Sequence, residues 1–342
     1  MDLFAGCGGL TAGFLATGRY RPVAAVELDR HAASTYAANF GEHIHVGDIR
    51  LWVRGALPAA DVVVGGPPCQ GFSALGRRDP DDPRSQLWDE YVQVLARVRP
   101  AFFVIENVPQ FLKSPQYASL VDEVSGRGRL RDWAIETHVI NAADYGTPQN
   151  RRRAVVIGRR KGMRPLGLPT PVMTLNTVRD AWRGVDPTVT DVDLPQSTVD
   201  ICGESVPGRF KLTQLHVTRQ PTANSLARFR AIPPGGNRFD LPHDLKTPGW
   251  RKHVTGAGDV MGRLRWDKPS VTIRTEFYKP EKGRYLHPVL DRPITHYEAA
   301  LLQGFPEDFE FCGNKTSIAR QIGNAVPVPL ATALAEHLSR YL

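Results

Sequence analysis

The sequence predicts an α/β fold with a mainly parallel sheet, interrupted by a smaller region of short strands and loops. Over residues 1–160, short apolar runs alternate with helix-like segments, which is typical of parallel α/β proteins. The pattern breaks between residues 164 and 288, where proline, glycine and arginine become frequent, and it returns after residue 289. We therefore predict an α/β domain over 1–163, an inserted domain over 164–288, and a C-terminal segment over 289–342 that returns to the first domain.

Seven apolar runs carry the strand prediction. They cover residues 3–4, 23–27, 44–46, 61–65, 101–105, 134–140 and 154–157. Apolar side chains recur at helical spacing between the fourth and fifth runs, namely Leu87, Tyr91, Leu95 and Val98. A helix is therefore expected to link these two strands.

Two more helices are predicted near the end of the chain. Thr295 is placed to cap a helix that runs through Gln303. The expected face of the last helix consists of Leu330, Leu334, Leu338 and Leu342. Pro329 in the first turn of that helix is compatible with it, because the first turn needs no amide donor.

Length and composition narrow the class of protein. The chain has 342 residues, about the length at which one core stops growing and a second lobe is expected. Its 42% hydrophobic and 23% charged residues exclude a disordered tail, a collagen and a coiled coil. No apolar run approaches the roughly 20 residues of a membrane span, and no basic region followed by an apolar stretch opens the chain. We therefore expect neither a membrane span nor a signal peptide.

Cysteine and histidine spacing gives no sign of a metal site. The four cysteines are Cys7, Cys69, Cys202 and Cys312. They form no Cys-x-x-Cys pair, which argues against a zinc site and a disulfide framework and fits a reducing cytoplasm. His43 and His45 form a His-x-His pair without a third ligand nearby, and we interpret them as a solvent-exposed pair.

Positive charge is concentrated in one stretch. The net charge is +8, and residues 205–285 carry 16 Lys and Arg against 6 Asp and Glu. The rest of the chain holds 27 basic and 29 acidic residues. Such a concentration is expected where a protein binds a polyanion, although a charge run is also typical of a solvated face.

A glycine-rich turn follows the first predicted strand, in Asp2-Leu-Phe-Ala-Gly-Cys-Gly-Gly-Leu10. Glycines there let the backbone approach a ligand at a helix N-terminus, but the third glycine of the dinucleotide fingerprint is replaced by Thr11. Glu27 ends the second strand, where it is placed to accept ribose hydroxyls, and Asp48 follows the third, where it is placed to accept an adenine amino group. Together they indicate a nucleoside pocket without a phosphate requirement, for which S-adenosylmethionine is a suitable ligand. The alternative is a glycine cap with two ordinary loop carboxylates.

Three chemically active residue types follow neighbouring strands. Cys69 lies on a loop just past the fourth strand, where α/β enzymes place their ligands, and Glu106 ends the fifth strand at the same sheet edge. Arg151 and Arg153 share one side of an extended segment, and Arg152 points to the other. Arginines at that spacing suit a carboxylate, a phosphate or a base carbonyl. The alternatives are a buried thiol, a loop carboxylate and surface charge.

These motifs and their order resemble those of DNA (cytosine-5) methyltransferases of the bacterial restriction-modification type. The matching segments are Asp2-Leu-Phe-Ala-Gly-x-Gly-Gly, Gly66-Pro-Pro-Cys-Gln-Gly-Phe-Ser73, Glu106-Asn-Val108, Gln149-x-Arg-x-Arg153, Arg292-Pro-Ile-Thr-x-x-Glu-Ala-x-x-Leu-Gln-Gly-Phe-Pro306 and Gln321-Ile-Gly-Asn-Ala-Val-Pro327. They span nearly the whole chain without circular permutation. The resemblance implies a Rossmann-like, class I S-adenosylmethionine-dependent methyltransferase fold, and the basic stretch falls where the family keeps its target-recognition domain.

The resemblance also implies roles for the candidate residues. Cys69 is the nucleophile that adds to C6 of cytosine, which activates C5 toward the methyl group. Glu106 hydrogen-bonds or protonates N3, and Arg153 binds O2. Arg151 supports the loop and its charge. The target base is inaccessible in a duplex, so it must be flipped out at a cost of a few kcal/mol.

The family pattern further implies a pocket for S-adenosylmethionine. It assigns to this pocket Phe4, Ala5, Gly6, Cys7, Gly8, Gly9, Leu10, Glu27, Asp48, Ile49, Pro68, Leu87, Asn324 and Ala325. We expect Phe4 to lie near the adenine. Asn324 and Ala325 would close the pocket from the C-terminal segment. The implied partner is double-stranded DNA, with a cognate restriction endonuclease encoded nearby, and the implied state is a cytoplasmic, nucleoid-associated monomer.

Two features depart from the family pattern. Only Met1 precedes Asp2, where the family has several apolar residues of the first strand. Glu298 follows Thr295-His-Tyr, where the more common pattern is Thr-x-Arg-Glu, and this weakens the case for a local ion pair in the segment.

The sequence argues against three other functions. Amino-methylation of adenine or cytosine needs an acid and an aromatic residue around Pro-Pro, which Gly66-Pro-Pro-Cys69 lacks. Transfer RNA is the substrate of one branch of the family, whose Cys-Phe-Thr signature is missing from the basic stretch. A catalytically silent DNA-binding regulator would not need intact Cys69, Glu106 and Arg153.

The basic stretch also contains candidates for DNA contact. Its aromatic residues Trp250, Trp266, Phe239 and Tyr278 could stack on bases, but a small domain also needs aromatics for its own core. Arg263 and Arg265 precede a segment that resembles the family's hinge, and we treat them as hypothetical DNA contacts.

Overall fold

A seven-stranded sheet forms the centre of the molecule. The computed structural model describes residues 1–68, 83–253 and 255–342, with the backbone alone for residues 83–86. The strands of the sheet are β1 Asp2–Leu3, β2 Ala25–Glu27, β3 Ile44–Val46, β4 Val62–Gly65, β5 Phe102–Asn107, β6 Trp133–Asn141 and β7 Arg152–Arg160. They lie in the order β3-β2-β1-β4-β5-β7-β6. Among them β7 alone runs in the direction opposite to the other six, which confirms the predicted α/β fold with a mainly parallel sheet.

Helices cover both faces of this sheet and extend into the second half of the chain. The α-helices are α1 Gly9–Ala16, α2 Arg30–Phe40, α3 Ile49–Trp52, α4 Pro83–Val98, α5 Pro115–Glu123, α6 Val178–Ala181, α7 Ala223–Ala231, α8 Pro248–Lys252, α9 His296–Leu302, α10 Lys315–Asn324 and α11 Val328–Leu338. Short 3₁₀ helices cover Pro109–Lys113, Ala142–Tyr145, Leu212–Leu215, Arg238–Asp240, His243–Leu245 and Pro280–Lys282. In the described ranges, no helix is both long and apolar enough to cross a membrane.

Side-chain alternation explains why the central strand β4 is apolar throughout. Val62 and Val64 pack in one cluster with α1 and α11, whereas Val63 packs in the opposite cluster with α4 and α5. A strand covered by helices on both faces needs apolar residues at every position. For the same reason the apolar spacing predicted α4 correctly, and its Tyr91 and Leu95 are fully buried.

Several boundaries differ from the predicted ones. β1 ends at Leu3 because Phe4 has a φ of +58°, which no strand residue adopts. β7 extends over Arg152–Arg160, since pairing with β5 and β6 on both sides holds its polar ends in the sheet. The last helix ends at Leu338, and Leu342 is 58% exposed, so the predicted fourth position on its apolar face was wrong.

The C-terminal segment returns to the first strand and helix. The α1 and α11 backbones approach so closely that a Cβ on Gly13 would lie 2.3 Å from the Cβ of Ala331. Upstream of α11, Thr295 caps α9 as predicted, by accepting a hydrogen bond from the amide of Glu298. The two ends of the chain therefore share one hydrophobic layer against the sheet.

The region between the two α/β parts contains short elements, as predicted. Strands β8 Thr198–Ile201 and β9 Glu204–Pro207 form a hairpin, and β10 Phe210–Lys211 pairs with β11 Glu310–Phe311 of the C-terminal segment. A separate small core consists of Phe229, Ile232, Leu241, Met261 and Leu286. The larger cluster of this region is shared with α9 and α10, so the region packs directly on the C-terminal segment. The domain boundaries stay a prediction.

Arginine has an internal role in this region. The guanidinium of Arg263 is 3% exposed and donates to Asp291 and to four backbone carbonyls, those of Phe229, Ile232, His287 and Leu290. Buried Arg238 likewise donates to three carbonyls. Loops lack the regular backbone hydrogen bonds of helices and sheets, so some of their carbonyls need other donors. Arginine, with five N–H donors, can supply them. The hypothesis that Arg263 contacts DNA was therefore wrong, whereas Arg265 is exposed.

Most of the aromatic candidates pack within the protein. Trp266 contacts the rings of Trp182 and His287, and Tyr278 stacks on His296. Trp250 joins the small core beside Arg228. Phe239, by contrast, is 36% exposed.

Candidate active site

One cavity lies at the carboxyl ends of the parallel strands, and its volume is about 650 Å³. The predicted site residues on its wall are Phe4, Ala5, Gly6, Cys7, Gly9, Leu10, Glu27, Asp48, Ile49, Pro68, Leu87, Glu106, Arg151, Arg153, Asn324 and Ala325. They come from segments far apart in the chain, which the sheet and the returning C-terminal segment bring together. Cys69 lies outside the described residues, directly after Pro68.

The turn after β1 binds the carboxylate at the end of β2. Phe4 and Gly6 both have positive φ angles, of 58° and 56°, and a Cβ on Gly6 would meet open space. The Gly6 amide donates to Glu27 Oε2 at 2.8 Å, and the Asp29 amide donates to Oε1 at 2.8 Å. Burial raises the pKa of Glu27, while these amides oppose the shift. Each oxygen keeps a lone pair for a ligand hydroxyl.

Gly8 is not on the cavity wall. It precedes α1 with a φ of +91°, and a Cβ there would lie 2.3 Å from the Phe40 ring. Its absence of a side chain thus serves packing against α2. Cys7 does line the cavity but is otherwise buried, with its Sγ 3.7 Å from the Gln321 carbonyl oxygen, and burial raises the pKa of its thiol.

Asp48 is already paired at the far end of the cavity. It caps α3 by accepting from the Arg50 amide, and both of its oxygens accept from the Arg50 guanidinium at 2.5–3.1 Å. These hydrogen bonds lower the pKa of Asp48. The carboxylate therefore carries a full negative charge, and Arg50 holds its orientation.

Glu106 lies at the opposite end, beside the start of the Cys69 loop. Its carboxylate is 2.8 Å from Arg153 Nε, and Oε2 is 3.6 Å from where a Cβ on Gly66 would be. Asn107 donates to the Pro67 carbonyl at 2.9 Å and so ties β5 to this loop. Although Oε1 is close to Arg153, it accepts no hydrogen bond from any described residue. A buried carboxylate oxygen with spare capacity is therefore present on the wall.

The three arginines at the start of β7 alternate as predicted. Arg152 is exposed, whereas Arg151 is 2% exposed and donates to the carbonyls of Ile273 and Gly323 at 3.0 Å each. Burial, with the nearby charge of Arg153, lowers the pKa of Arg151 to about 9. The resemblance places Arg151 among the catalytic residues, as a support for the Cys69 loop and its charge. Its contacts make it a positioning residue that joins β7 to the two segments forming the opposite wall.

Buried amides complete this wall, and the sequence motifs contain them without indicating their role. The side chain of Gln149 accepts from the Ile273 amide at 2.9 Å and donates to Gln303, which donates in turn to the Ile322 carbonyl. Uncharged side chains at loop positions carry no chemical signature, so only their motif membership could have marked them. Arg320, also unanticipated, pairs with Asp29 at 2.7 Å across the rim.

An ion pair supports the helix that precedes this wall. Glu298 is 1% exposed and accepts from both Nη atoms of Arg292, at 2.8 and 2.7 Å, and from the Thr295 amide. The departure noted at Glu298 thus leaves the ion pair in place, because its partner comes from six residues upstream.

Comparison with known proteins gives a consistent result. A family model described as C-5 cytosine-specific DNA methylase matches residues 1–340. The type II methyltransferase M1.HphI of Haemophilus parahaemolyticus is 35% identical over 349 residues, which cover 98% of this chain and 85% of that protein. M.DdeI of Desulfomicrobium norvegicum is 31% identical over 380 residues, with 100% and 88% covered.

Solved structures agree over the same length. A DNA modification methyltransferase encoded within an E. coli prophage is 26% identical, with a TM-score of 0.74 and coverage of 99% of this chain and 97% of that one. The Entamoeba histolytica methyltransferase EhMeth, at 16% identity, has a TM-score of 0.61 over 99% and 97% of the two chains, and shares the fold.

Proposed function

The chain belongs to the C-5 cytosine-specific DNA methylase family, and from this premise we propose that it methylates C5 of a cytosine flipped out of a specific double-stranded DNA sequence, with S-adenosylmethionine as donor. One observation carries the proposal. The Glu106 carboxylate, the Arg153 guanidinium and the start of the Cys69 loop converge at one end of a cavity, and the glycine turn with Glu27 lies at the other.

The wall residues fit S-adenosylmethionine. The cavity is within the usual range of about 300–1,000 Å³ for small-molecule sites. Glu27 offers both oxygens at fixed positions for ribose hydroxyls, and open space above Gly6 lets the backbone approach the ligand. Asp48, held by Arg50, would accept from the adenine amino group. When bound, S-adenosylmethionine supplies an electrophilic methyl group that C5 of the activated ring takes up.

The residues at the other end would activate the base. The Cys69 thiolate adds to C6, and its electron pair forms the S–C6 bond while charge moves onto the ring. Glu106 hydrogen-bonds or protonates N3 as this charge develops, and Arg153 donates to O2. After C5 is methylated, a base takes the C5 proton and the S–C6 bond breaks, which restores the thiolate. Any proton that N3 received returns to Glu106.

The arrangement of Glu106 and Arg153 suits a neutral pyrimidine. The 2.8 Å approach of their side chains holds each in place before the base arrives, so little reorganisation is needed. When protonated, the carboxyl can donate a hydrogen bond to N3 of cytosine, and the neighbouring guanidinium can donate to O2. The side-chain hydrogen bonds of Asn107 and Arg151 hold the backbone next to Glu106 and Arg153 in place.

The basic region would supply DNA affinity and sequence choice. Phosphate contacts provide affinity and base-edge contacts provide discrimination. Exposed arginines such as Arg265 remain candidates after the buried ones are set aside. The relatives are named type II methyltransferases, so we further propose a role in a restriction-modification system, with a cognate endonuclease, for a cytoplasmic, nucleoid-associated monomer.

Bisulfite sequencing of host DNA carrying the gene tests the function directly. We expect one sequence context in which the cytosine resists conversion, and its resistance should vanish with Cys69→Ser. A duplex with 5-fluorocytosine in that context should form a covalent complex with the wild type only. Complete conversion at every cytosine would contradict the proposal, and methylation by both proteins would indicate amino-methylation instead.

A further inference from the structure

Among the residues that the structure describes, five arginines line the cavity, and four of them have a partner. Arg50 pairs with Asp48, Arg153 with Glu106 and Arg320 with Asp29, and Arg151 donates to backbone carbonyls. The fifth is Arg274.

The guanidinium of Arg274 is exposed at the cavity rim. Throughout the described ranges, it has no carboxylate at ion-pairing distance and donates no hydrogen bond. Its charge acts on the Tyr285 hydroxyl, which donates to the Thr272 carbonyl and whose pKa burial raises to about 12, so this group is neutral. Arg274 therefore presents an uncompensated positive charge at the mouth of the cavity.

The backbone that carries Arg274 is held rigidly. The amide of Ile273 donates to Gln149 at 2.9 Å, and its carbonyl accepts from Arg151 at 3.0 Å. Thr272 donates to the Asn150 carbonyl at 2.8 Å. A free cation on a fixed backbone is preorganised for an external anion, since the ordering cost is met by folding.

We propose that Arg274 binds a phosphate of the DNA strand that carries the target cytosine, next to the flipped nucleotide. The inference rests on the proposed function. A base that enters the cavity to reach Glu106 and Arg153 leaves its sugar-phosphate backbone at the mouth, where Arg274 lies. Arg151 joins the Ile273 carbonyl to the strand of Arg153, so Arg274 belongs to the base end of the cavity. A guanidinium matches phosphate oxygens bidentately.

Arg274→Gln tests this assignment through the salt dependence of DNA binding. The dissociation constant of a duplex containing the target sequence is measured over a series of KCl concentrations. We expect about tenfold weaker binding and a log–log slope reduced by about 0.9, the value for one lost phosphate contact. Arg274→Lys should keep the slope while losing part of the affinity, because lysine retains the charge without the fork. Arg183→Gln, at an 83% exposed side chain outside the basic stretch, is the matched control and should leave the slope unchanged.

Two results would overturn the assignment. An unchanged slope and affinity in Arg274→Gln would show that no phosphate is bound there. Weaker binding of S-adenosylmethionine with an unaltered DNA slope would assign Arg274 to the donor's carboxylate. Trapping of the wild type by 5-fluorocytosine DNA separates these outcomes from a failure of the proposed function. If the wild type is trapped and the variant binds like it, only the role of Arg274 is wrong.

Discussion

The two ends of strand β7 carry the same ion pair in different surroundings. Arg153 Nε lies 2.8 Å from Glu106 at one end, and Arg159 Nε lies 2.8 Å from Glu136 at the other, with all four side chains largely buried. The two arginines are six residues apart and so face the same side of the strand. Geometry and burial of the pair alone therefore do not distinguish a reactive pair from a structural one.

The remaining hydrogen bonds distinguish them. Glu136 accepts from the amides of Leu166 and Gly167, at 2.9 and 2.8 Å, besides Arg159. Glu106, on the wall of the cavity, leaves Oε1 without a hydrogen bond from the described residues. A buried carboxylate with unused acceptor capacity beside a cavity indicates a site awaiting a ligand, whereas a fully hydrogen-bonded one indicates a fold contact.

The largest effect should come from Cys69, the proposed nucleophile. Cys69→Ser is expected to lower methyl transfer roughly 10³-fold or more, because a hydroxyl is a far weaker nucleophile than a thiolate. Incorporation of a radiolabelled methyl group into DNA measures it. Thermal unfolding of the variant serves as control and should remain near that of the wild type. Residual activity within tenfold of wild type would contradict the assignment.

Matched glutamate substitutions sharpen the comparison next. Glu106→Gln should lower kcat about 10²–10³-fold, because an amide cannot protonate N3 as charge develops on the ring. Glu136→Gln should leave kcat near wild type, since Glu136 lies away from the cavity wall. Steady-state kinetics on the same duplex compares the two, and equal losses would remove the distinction between the ends of β7.

The free energy of unfolding should depend more on Glu136 than on Glu106, which is the opposite of the order expected for kcat. Glu136→Ala is expected to lower the free energy of unfolding by about 3 kcal/mol, because it leaves buried Arg159 and two amides unpaired. Glu106→Ala should cost less, since only Arg153 loses a partner and water reaches it through the cavity. Urea denaturation followed by circular dichroism provides both values. A larger loss in Glu106→Ala would mean that Glu106 also supports the fold.

The smallest effect is a pH dependence. Although burial opposes it, the amides and Arg159 hold the pKa of Glu136 below its usual 4.5. The stability contributed by its charged form is present above that unfolded value and is lost as the pH falls through the folded one. The stability difference between wild type and Glu136→Gln should thus shrink between about pH 6 and about pH 3, by about 1.4 kcal/mol per unit of pKa difference. A constant difference would show that the charge of Glu136 is not what stabilises the contact.

The fold was largely predictable because the spacing of apolar residues along the sequence depends only on the local type of secondary structure. Strand β4 is apolar at every position and β5 over its first four residues, and the helical spacing around Tyr91 marked α4. Strand ends were less predictable. Arg152 and Arg160 lie in β7 only because two neighbouring strands pair with it, which no local pattern reports.

The candidate site was predictable where the type of a residue and its place at the end of a strand are enough to indicate its role. Glu27, Glu106 and Arg153 lie on one cavity wall as expected. Prediction failed where long-range contacts decide the role. Arg263 lies in the basic stretch and so resembles a DNA contact, but its guanidinium is buried and donates to backbone carbonyls. Gly8 lacks a side chain because the Phe40 ring lies there, not because a ligand does. Such contacts join residues that are far apart in the sequence, so only the folded structure shows them.

The close approach of α1 and α11 has a consequence for biosynthesis. Gly13 on the first helix meets Ala331 near the end of the chain, and Asn324 and Ala325 complete the cavity that Phe4 begins. On the ribosome, the proposed nucleophile and acid would therefore be synthesised long before the segment that completes the cavity. Binding of a methyl donor there would have to await the emergence of α11 from the exit tunnel.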